Sequence, residues 1–435
     1  MPQFNQLGLA EPLQRALAAK NYATPTPIQT QSIPPLLEGR DLCGIAQTGT
    51  GKTAAFALPS LHHILNNPKP RQPGTCRMLV LAPTRELASQ IAESFRDYGK
   101  FMKVSVETVF GGVPIARQIK AMGLGVDVLV ATPGRLIDLI DQRALHLRGV
   151  EIFVLDEADQ MLDLGFIHAL KRIDGMLPKK RQSLFFSATM PKTIAELGDR
   201  FLTDPVKVSV APAATTAERV DQFVTFVNQA EKQALLTITL KSTEMDRALV
   251  FTRTKHGADK VVKHLNAAEI GAFAIHGNKS QPQRERALAA FRSGECKVLV
   301  ATDIAARGID VSGVSHVFNF ELPNVPEQYV HRIGRTARAG KEGMALAFVA
   351  DDEKGFLRDI ERLTRIKLQP MPLPEDFDRQ KNSLPKPAAS PPGNSTRRHD
   401  DPRGGANAAP KRRFSPGNRG PVGRHAGAVR KTGGR

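Results

Sequence analysis

The chain has 435 residues, 41% of them hydrophobic, enough for two or three domains that each bury a core. A formal net charge of +18 favours a polyanionic partner, nucleic acid or an anionic membrane surface, although a basic protein that is merely soluble also fits. Cys43, Cys76 and Cys296 are scattered, which argues against a disulfide framework or zinc site. No stretch approaches the roughly 20 apolar residues of a membrane span, and Met1 to Pro12 lacks a signal-peptide pattern, so a cytoplasmic protein with no membrane partner is expected.

Short apolar runs recur along the chain, each ending in a polar or Gly/Pro turn. The first half has Leu42–Ala46, Met78–Ala82, Val128–Ala131, Ile152–Leu155 and Leu184–Phe186. The second half has Ala248–Phe251, Val298–Ala301, His316–Phe320 and Met344–Val349. Helical patterns such as Arg85–Phe101 and Gln283–Phe291 lie between them. Strands alternating with helices predict parallel sheets made of βαβ units, an α/β fold with ligands at the carboxyl ends of the strands. The run VLVAT occurs at Val128–Thr132 and again at Val298–Thr302, by coincidence or through duplication of a domain.

The first run leads into Ala46-Gln47-Thr48-Gly49-Thr50-Gly51-Lys52-Thr53 and then a helix. Strand, glycine-rich loop and helix together form a phosphate loop. Its glycines let backbone N–H groups approach phosphate oxygens at a helix N-terminus. Lys52 would reach the β/γ-phosphates and Thr53 would ligate Mg²⁺. The run Ile152–Leu155 ends in Asp156-Glu157-Ala158-Asp159. A carboxylate there, Asp156, can hold Mg²⁺, and the next, Glu157, can activate the attacking water.

With that tetrapeptide the chain resembles the DEAD-box RNA helicases, and within them the bacterial RhlE-like group, over about residues 1–365. The resemblance implies two tandem RecA-like domains with parallel sheets, residues 1–210 and 218–369, joined by a linker at 211–217. Tyr22 to Gln29 looks like the family's adenine-reading motif: Gln29 would pair with the base edge, Tyr22 would stack on it and Phe4 would support it. The family commonly has glycine before the aromatic residue, where this chain has Asn21. Ser187-Ala188-Thr189 would couple hydrolysis to strand separation by bonding the acidic motif, to which Asp159 belongs. In the second domain His331 to Arg338 resembles the arginine-finger motif, with Ala337 in place of the usual glycine. Arg335 and Arg338 would reach the γ-phosphate, His331 and Arg332 would link to the first domain's acidic motif, and Gly308 and Asp310 would contact phosphate and ribose.

The remaining clusters resemble RNA-contacting motifs: Pro83, Thr84 and Arg85; Gly111 and Gly112; Thr132, Pro133, Gly134 and Arg135. Their counterparts downstream are Arg253, Thr254, His276, Gly277, Gln281, Arg284, Thr302 and Asp303. Amides, hydroxyls and guanidinium groups suit phosphate and ribose, and with only 6% aromatic residues, base stacking is not the expected mode. The expected function is an ATP-dependent RNA helicase using ATP and Mg²⁺, a monomer with ribosomal particles or RNA-decay machinery as candidate partners. An RNA clamp timed by ATP and a DNA translocase are the rivals. After about Gln369 large apolar residues nearly vanish, and residues 370–435 are expected to be a disordered basic tail with about half of the net charge. That tail is either a solvated end or an RNA tether.

Overall fold

A strand covered on both faces reads as a short unbroken apolar run, and all nine such runs form strands in the computed structural model. It describes residues 3–47, 49–210, 220–306, 311, 313–337, 343–385 and 387. The first sheet comprises β1 (Leu42–Ile45), β2 (Cys76–Leu81), β3 (Val106–Val109), β4 (Val126–Ala131), β5 (Ile152–Leu155), β6 (Gln182–Ser187) and β7 (Val206–Ser209). The second comprises β8 (Val220–Phe226), β9 (Ala248–Thr252), β10 (Ala272–Ile275), β11 (Val298–Thr302), β12 (His316–Asn319), β13 (Gly343–Val349) and β14 (Gln369–Pro370).

Both sheets are parallel, with orders β3-β4-β2-β5-β6-β1-β7 and β10-β11-β9-β12-β13-β8-β14. The orders are the same when each strand is counted from the start of its own sheet. The two VLVAT runs then fall on equivalent strands, β4 and β11, which favours duplication over coincidence. Both faces of each sheet are buried by helices. In the first domain the helix Lys52–Asn66 sets Phe56 against Phe186 of β6, with ring centroids 5.6 Å apart, and against Phe95 of the helix Arg85–Tyr98 at 6.1 Å. These aromatic contacts fix the helix that carries the phosphate loop.

One boundary moves. The composition places the tail's start at residue 370, but β14 adds to β8, and the helix Phe377–Ser383 follows it. Phe377 is buried in the core of the second domain, and Lys381 pairs with Glu231 at 2.6 Å. A polar surface helix with a single apolar anchor does not stand out in a segment rich in Pro and charge. The linker at 211–217 and the chain from 388 onward lie outside the described residues. No described helix is long and apolar enough to cross a membrane. The three cysteines are buried and unbridged, and burial pushes the Cys76 thiol up to about 12.

Candidate active site

The phosphate loop leaves β1 and enters the helix Lys52–Asn66 through two left-handed glycines, Gly49 (φ 81°) and Gly51 (φ 96°). A Cβ on Gly51 would come within 2.4 Å of Gln29 Nε2, so this position demands glycine twice over. Thr50 Oγ donates to the Gln47 carbonyl at 2.7 Å and closes the loop on itself. Thr48 lies outside the described residues. Lys52 is buried, yet its Nζ has no hydrogen-bond partner among the described residues. An unpaired buried ammonium is costly unless an anion takes the site.

Asp156 and Glu157 follow β5 directly and are buried. Glu157 adopts a left-handed backbone (φ 54°), rare and strained for a residue with a Cβ, and its amide donates to Asp156 Oδ1 at 3.0 Å. Burial raises both carboxyls above their ordinary range, Glu157 up to about 7, while the Lys52 charge opposes the rise. Glu157 Oε2 has no hydrogen-bond partner among the described residues. Asp159 Oδ2 accepts from the Ala188 amide (3.1 Å), the Thr189 amide (2.9 Å) and Thr189 Oγ (3.0 Å). The expected bond between the acidic motif and residues 187–189 is thus made through Thr189. Ser187 differs: it ends β6 fully buried, its carbonyl accepts from Ala46 N, and its hydroxyl finds no partner among the described residues.

A cavity of about 640 Å³ joins these parts, lined by Gly49, Gly51, Lys52 and Thr53, by Asp156 and Glu157, by Phe4, Tyr22 and Gln29, and by Arg335 of the second domain. The Arg335 charge lies close enough to Glu157 to lower its pKa. Arg332 departs from expectation. Rather than linking to the first domain's acidic motif, it is buried and forks onto Asp303 at 2.5 and 2.7 Å, with Asn319 and the Glu321 carbonyl taking its other nitrogen. Asp303, expected on RNA, is therefore the counter-ion of Arg332, as a buried guanidinium requires. The His331 carbonyl accepts from Arg335 Nε at 3.2 Å, which ties the finger to its helix. Gly308, Asp310 and Arg338 lie outside the described residues.

At the base end, Gln29 accepts from Thr26 N (2.9 Å) and donates to the Gly51 carbonyl (3.1 Å). Each of its polar atoms thus has one bond in place and capacity for another. Asn21 has φ 57° and Ala337 has φ 53°. Both substitutions for the family's glycines therefore fall at left-handed positions. Asn tolerates that region well and Ala less so, at a cost of roughly 1 kcal/mol.

The proposed RNA contacts follow β2, β3 and β4 in the first sheet and β9, β10 and β11 in the second, so the track is duplicated with the fold. Thr84 and Thr254 cap equivalent helices, accepting from Leu87 N (3.3 Å) and Gly257 N (3.0 Å). Thr132 stands at the N-cap of the helix Pro133–Asp141 and Thr302 ends β11. Arg85 packs over Gly112, where a Cβ would meet its guanidinium at 1.9 Å. Burial, then the neighbouring Arg284 and Arg135 charges, lowers the Arg85 pKa. Arg135 Nη1 donates to the Val113 carbonyl and Gln118.

Several downstream residues face inward instead. His276 is buried with Nε2 3.0 Å from Asp259, Gln281 bonds Glu285, and Arg253 lies among Glu321 and Glu353. Arg284 spans the domains and pairs with Glu86 at 2.7 Å. The Arg253 and Arg284 guanidiniums reach internal acids, Glu353 and Glu86, because leaving a buried charge unpaired costs more than giving up water, whereas the acids beside His276 and Gln281 are exposed. Glu86 was not singled out from the sequence. An acidic residue in a helix's first turn ordinarily signals only the helix dipole.

Two parallel sheets that close a phosphate loop, an acidic strand end and an arginine from the second sheet into one cavity define a nucleoside triphosphatase with tandem RecA-like domains. The DEAD/DEAH box helicase model matches residues 26–197 and the helicase conserved C-terminal domain matches residues 230–340. The DEAD-box ATP-dependent RNA helicase CshA of Bacillus cereus is 43% identical over 86% of this chain and 70% of that protein. The ATP-dependent RNA helicase CshA of Listeria monocytogenes is 44% identical over 86% of this chain and 71% of its own length. The structure of S. cerevisiae Dbp5 bound to RNA and ADP BeF3 superposes with a TM-score of 0.76 at 32% identity, covering 88% of this chain and 99% of that one. The chain belongs to the DEAD-box ATP-dependent RNA helicases.

Proposed function

We propose that ATP binds between the two sheets and that its hydrolysis is coupled to local opening of short RNA duplexes or remodelling of RNA–protein complexes. The observation that carries this reading is Arg335 of the second domain lining one cavity with Lys52 and Glu157 of the first. Lys52 binds the β/γ-phosphates, Glu157 takes a proton from the attacking water, and Arg335 offsets charge developing on the γ-phosphate. The unpaired Lys52 Nζ and Glu157 Oε2 suit an anion and a water respectively. Thr53 and Asp156 would hold Mg²⁺, which when bound supplies positive charge against the phosphates. The spare hydrogen-bonding capacity of Gln29, with Tyr22 half exposed beside it, suits adenine. RNA-stimulated hydrolysis should prefer ATP to GTP, and Gln29→Ala should erode the preference; equal use of both by the unmodified protein would count against it.

RNA lies along the carboxyl ends of β2–β4 and β9–β11 in this reading. Among the described residues nothing lies within 4 Å of a Cβ at Gly134 or Gly277, and neither has a left-handed backbone, so crowding inside the fold does not explain these glycines. A closely approaching nucleic-acid backbone would suit them. The likeness to Dbp5 bound to RNA, at 32% identity, supports RNA as the partner. ATP and RNA each bridge the domains, so each strengthens binding of the other. Release of the short strand of an RNA duplex, followed with ATP and without it, tests the reading; ATP hydrolysis with no strand release would favour an RNA clamp. The RhlE-like placement rests on the sequence motifs, whereas the relatives above carry the name CshA. Cytoplasmic location, a monomeric state and ribosomal or RNA-decay partners follow from composition and family resemblance.

The basic end of the chain acts as an RNA tether in this account. Arg397, Arg398, Lys411, Arg412 and Arg413 lie among Gly, Pro and Asn. Because residues up to Leu384 pack on the second domain, the test removes residues 388–435, not the chain from 370. RNA affinity at moderate salt should fall and its salt dependence should flatten, by a log–log slope of about 0.7 for each phosphate the tail no longer neutralises on single strands. Maximal ATPase at saturating RNA should hold. Superimposable salt curves would remove the tether.

A further inference from the structure

The helix Arg85–Tyr98 turns one face to the nucleotide cavity through Leu87, Gln90, Ser94 and Tyr98. Their spacing of three, four and four is the repeat of a single helical stripe. None was singled out from the sequence, and the mechanism above uses none of them. Tyr98 marks the base end, close enough to Tyr22 for their charges to interact. Gln90 lies eight residues back, about 12 Å along the axis, on the side leading to Arg85. Ser94 Oγ is already engaged with the Gln90 carbonyl at 3.0 Å. Gln90 Nε2, by contrast, is shielded from solvent and has no hydrogen-bond partner among the described residues, a condition it shares in this cavity with Lys52 Nζ and Glu157 Oε2. Those two have a ligand atom to meet in the mechanism, and an amide donor left buried and unsatisfied in an empty cavity calls for one as well.

We propose that Gln90 is a nucleotide-binding residue whose side-chain amide donates a hydrogen bond to a ribose or phosphate oxygen of the bound nucleotide. This rests on ATP occupying the cavity, and the test separates the two ideas. Binding of ATP and ADP without RNA is measured for the full chain and for Gln90→Met, Gln90→Glu and Lys52→Ala, together with the melting temperature of each unliganded protein. Gln90→Met keeps the volume and removes the donor. Its Kd for ATP should rise roughly tenfold, the effect of one hydrogen bond to a charged or strongly polar acceptor, while its unliganded melting temperature holds or rises because an unsatisfied buried donor is gone. Gln90→Glu keeps the shape, loses the donor and adds negative charge, so it should bind ATP more weakly still. An equal loss for ADP assigns the contact to the part common to both nucleotides, and a loss for ATP alone assigns it to the γ-phosphate. Wild-type affinity in both Gln90 variants with lost affinity in Lys52→Ala overturns the proposal and leaves the cavity as the ATP site. Wild-type affinity in all three overturns the cavity as well. Weaker binding with a lowered unliganded melting temperature in both Gln90 variants would make Gln90 a structural residue and also overturn the proposal.

Discussion

Glu157→Gln should still bind ATP and RNA but lose RNA-stimulated hydrolysis by roughly two to four orders of magnitude, the usual contribution of a general base. The substitution is nearly isosteric and preserves the buried position after β5. What it removes is the basicity of a carboxyl group that faces Lys52 and Arg335 across the cavity. Because ATP stays bound and uncleaved, the closed arrangement should persist and RNA should dissociate more slowly. Lys52→Ala should behave differently. It removes the buried cation that lacks a protein partner, so ATP binding itself should weaken along with hydrolysis. The two variants separate in an ATP-binding assay followed by a single-turnover rate. Near-normal turnover in Glu157→Gln would remove Glu157 as the base.

Arg335→Ala should reduce hydrolysis by about a thousandfold or more, in line with arginine fingers that stabilise a transferring phosphoryl group. RNA binding without nucleotide should stay largely intact, since Arg335 lines the nucleotide cavity and its assigned partner there is the γ-phosphate. Arg335→Lys should recover little, because a point charge cannot reproduce the planar fork of a guanidinium. The contrast is with Arg332, whose bidentate pair with Asp303 is internal to the second domain. Loss there should lower stability, since Asp303 would keep a partly buried charge without its partner. Equal losses of hydrolysis and of nucleotide-free RNA binding in Arg335→Ala would point to misfolding.

What the sequence made legible follows from burial. β1, β2, β4, β5 and β6 lie inside the first sheet or against its last strand, and each reads as an apolar run. β3, β7, β10 and β14 lie at sheet edges, and β8 adjoins an edge strand of only two residues. The mixed patterns among them, such as Val-Lys-Val-Ser in β7 and Val-Asp-Gln-Phe-Val-Thr-Phe in β8, look like ordinary surface, whereas β10, Ala-Phe-Ala-Ile, is apolar and falls outside this explanation. The phosphate loop, Asp156 and Glu157 were legible because their chemistry is local to one strand end. Arg332 and Arg284 were not, because a guanidinium's partner is chosen in space: Asp303 is 29 residues from one and Glu86 is 198 from the other. Gln90 was illegible for a related reason. A glutamine on an amphipathic helix reads as solvent-facing until the cavity beside it is known.

The central claim is that one cavity, completed by both domains, hydrolyses ATP when RNA draws them together. The most direct measurement is the steady-state ATPase rate of the full chain with no nucleic acid, with saturating single-stranded RNA and with DNA of the same sequence. A low rate alone, a large rise with RNA and little rise with DNA are expected, because ribose 2′-hydroxyls are among the groups the duplicated track is suited to contact. A rate that is high without nucleic acid, or that DNA stimulates as well as RNA, would contradict that claim.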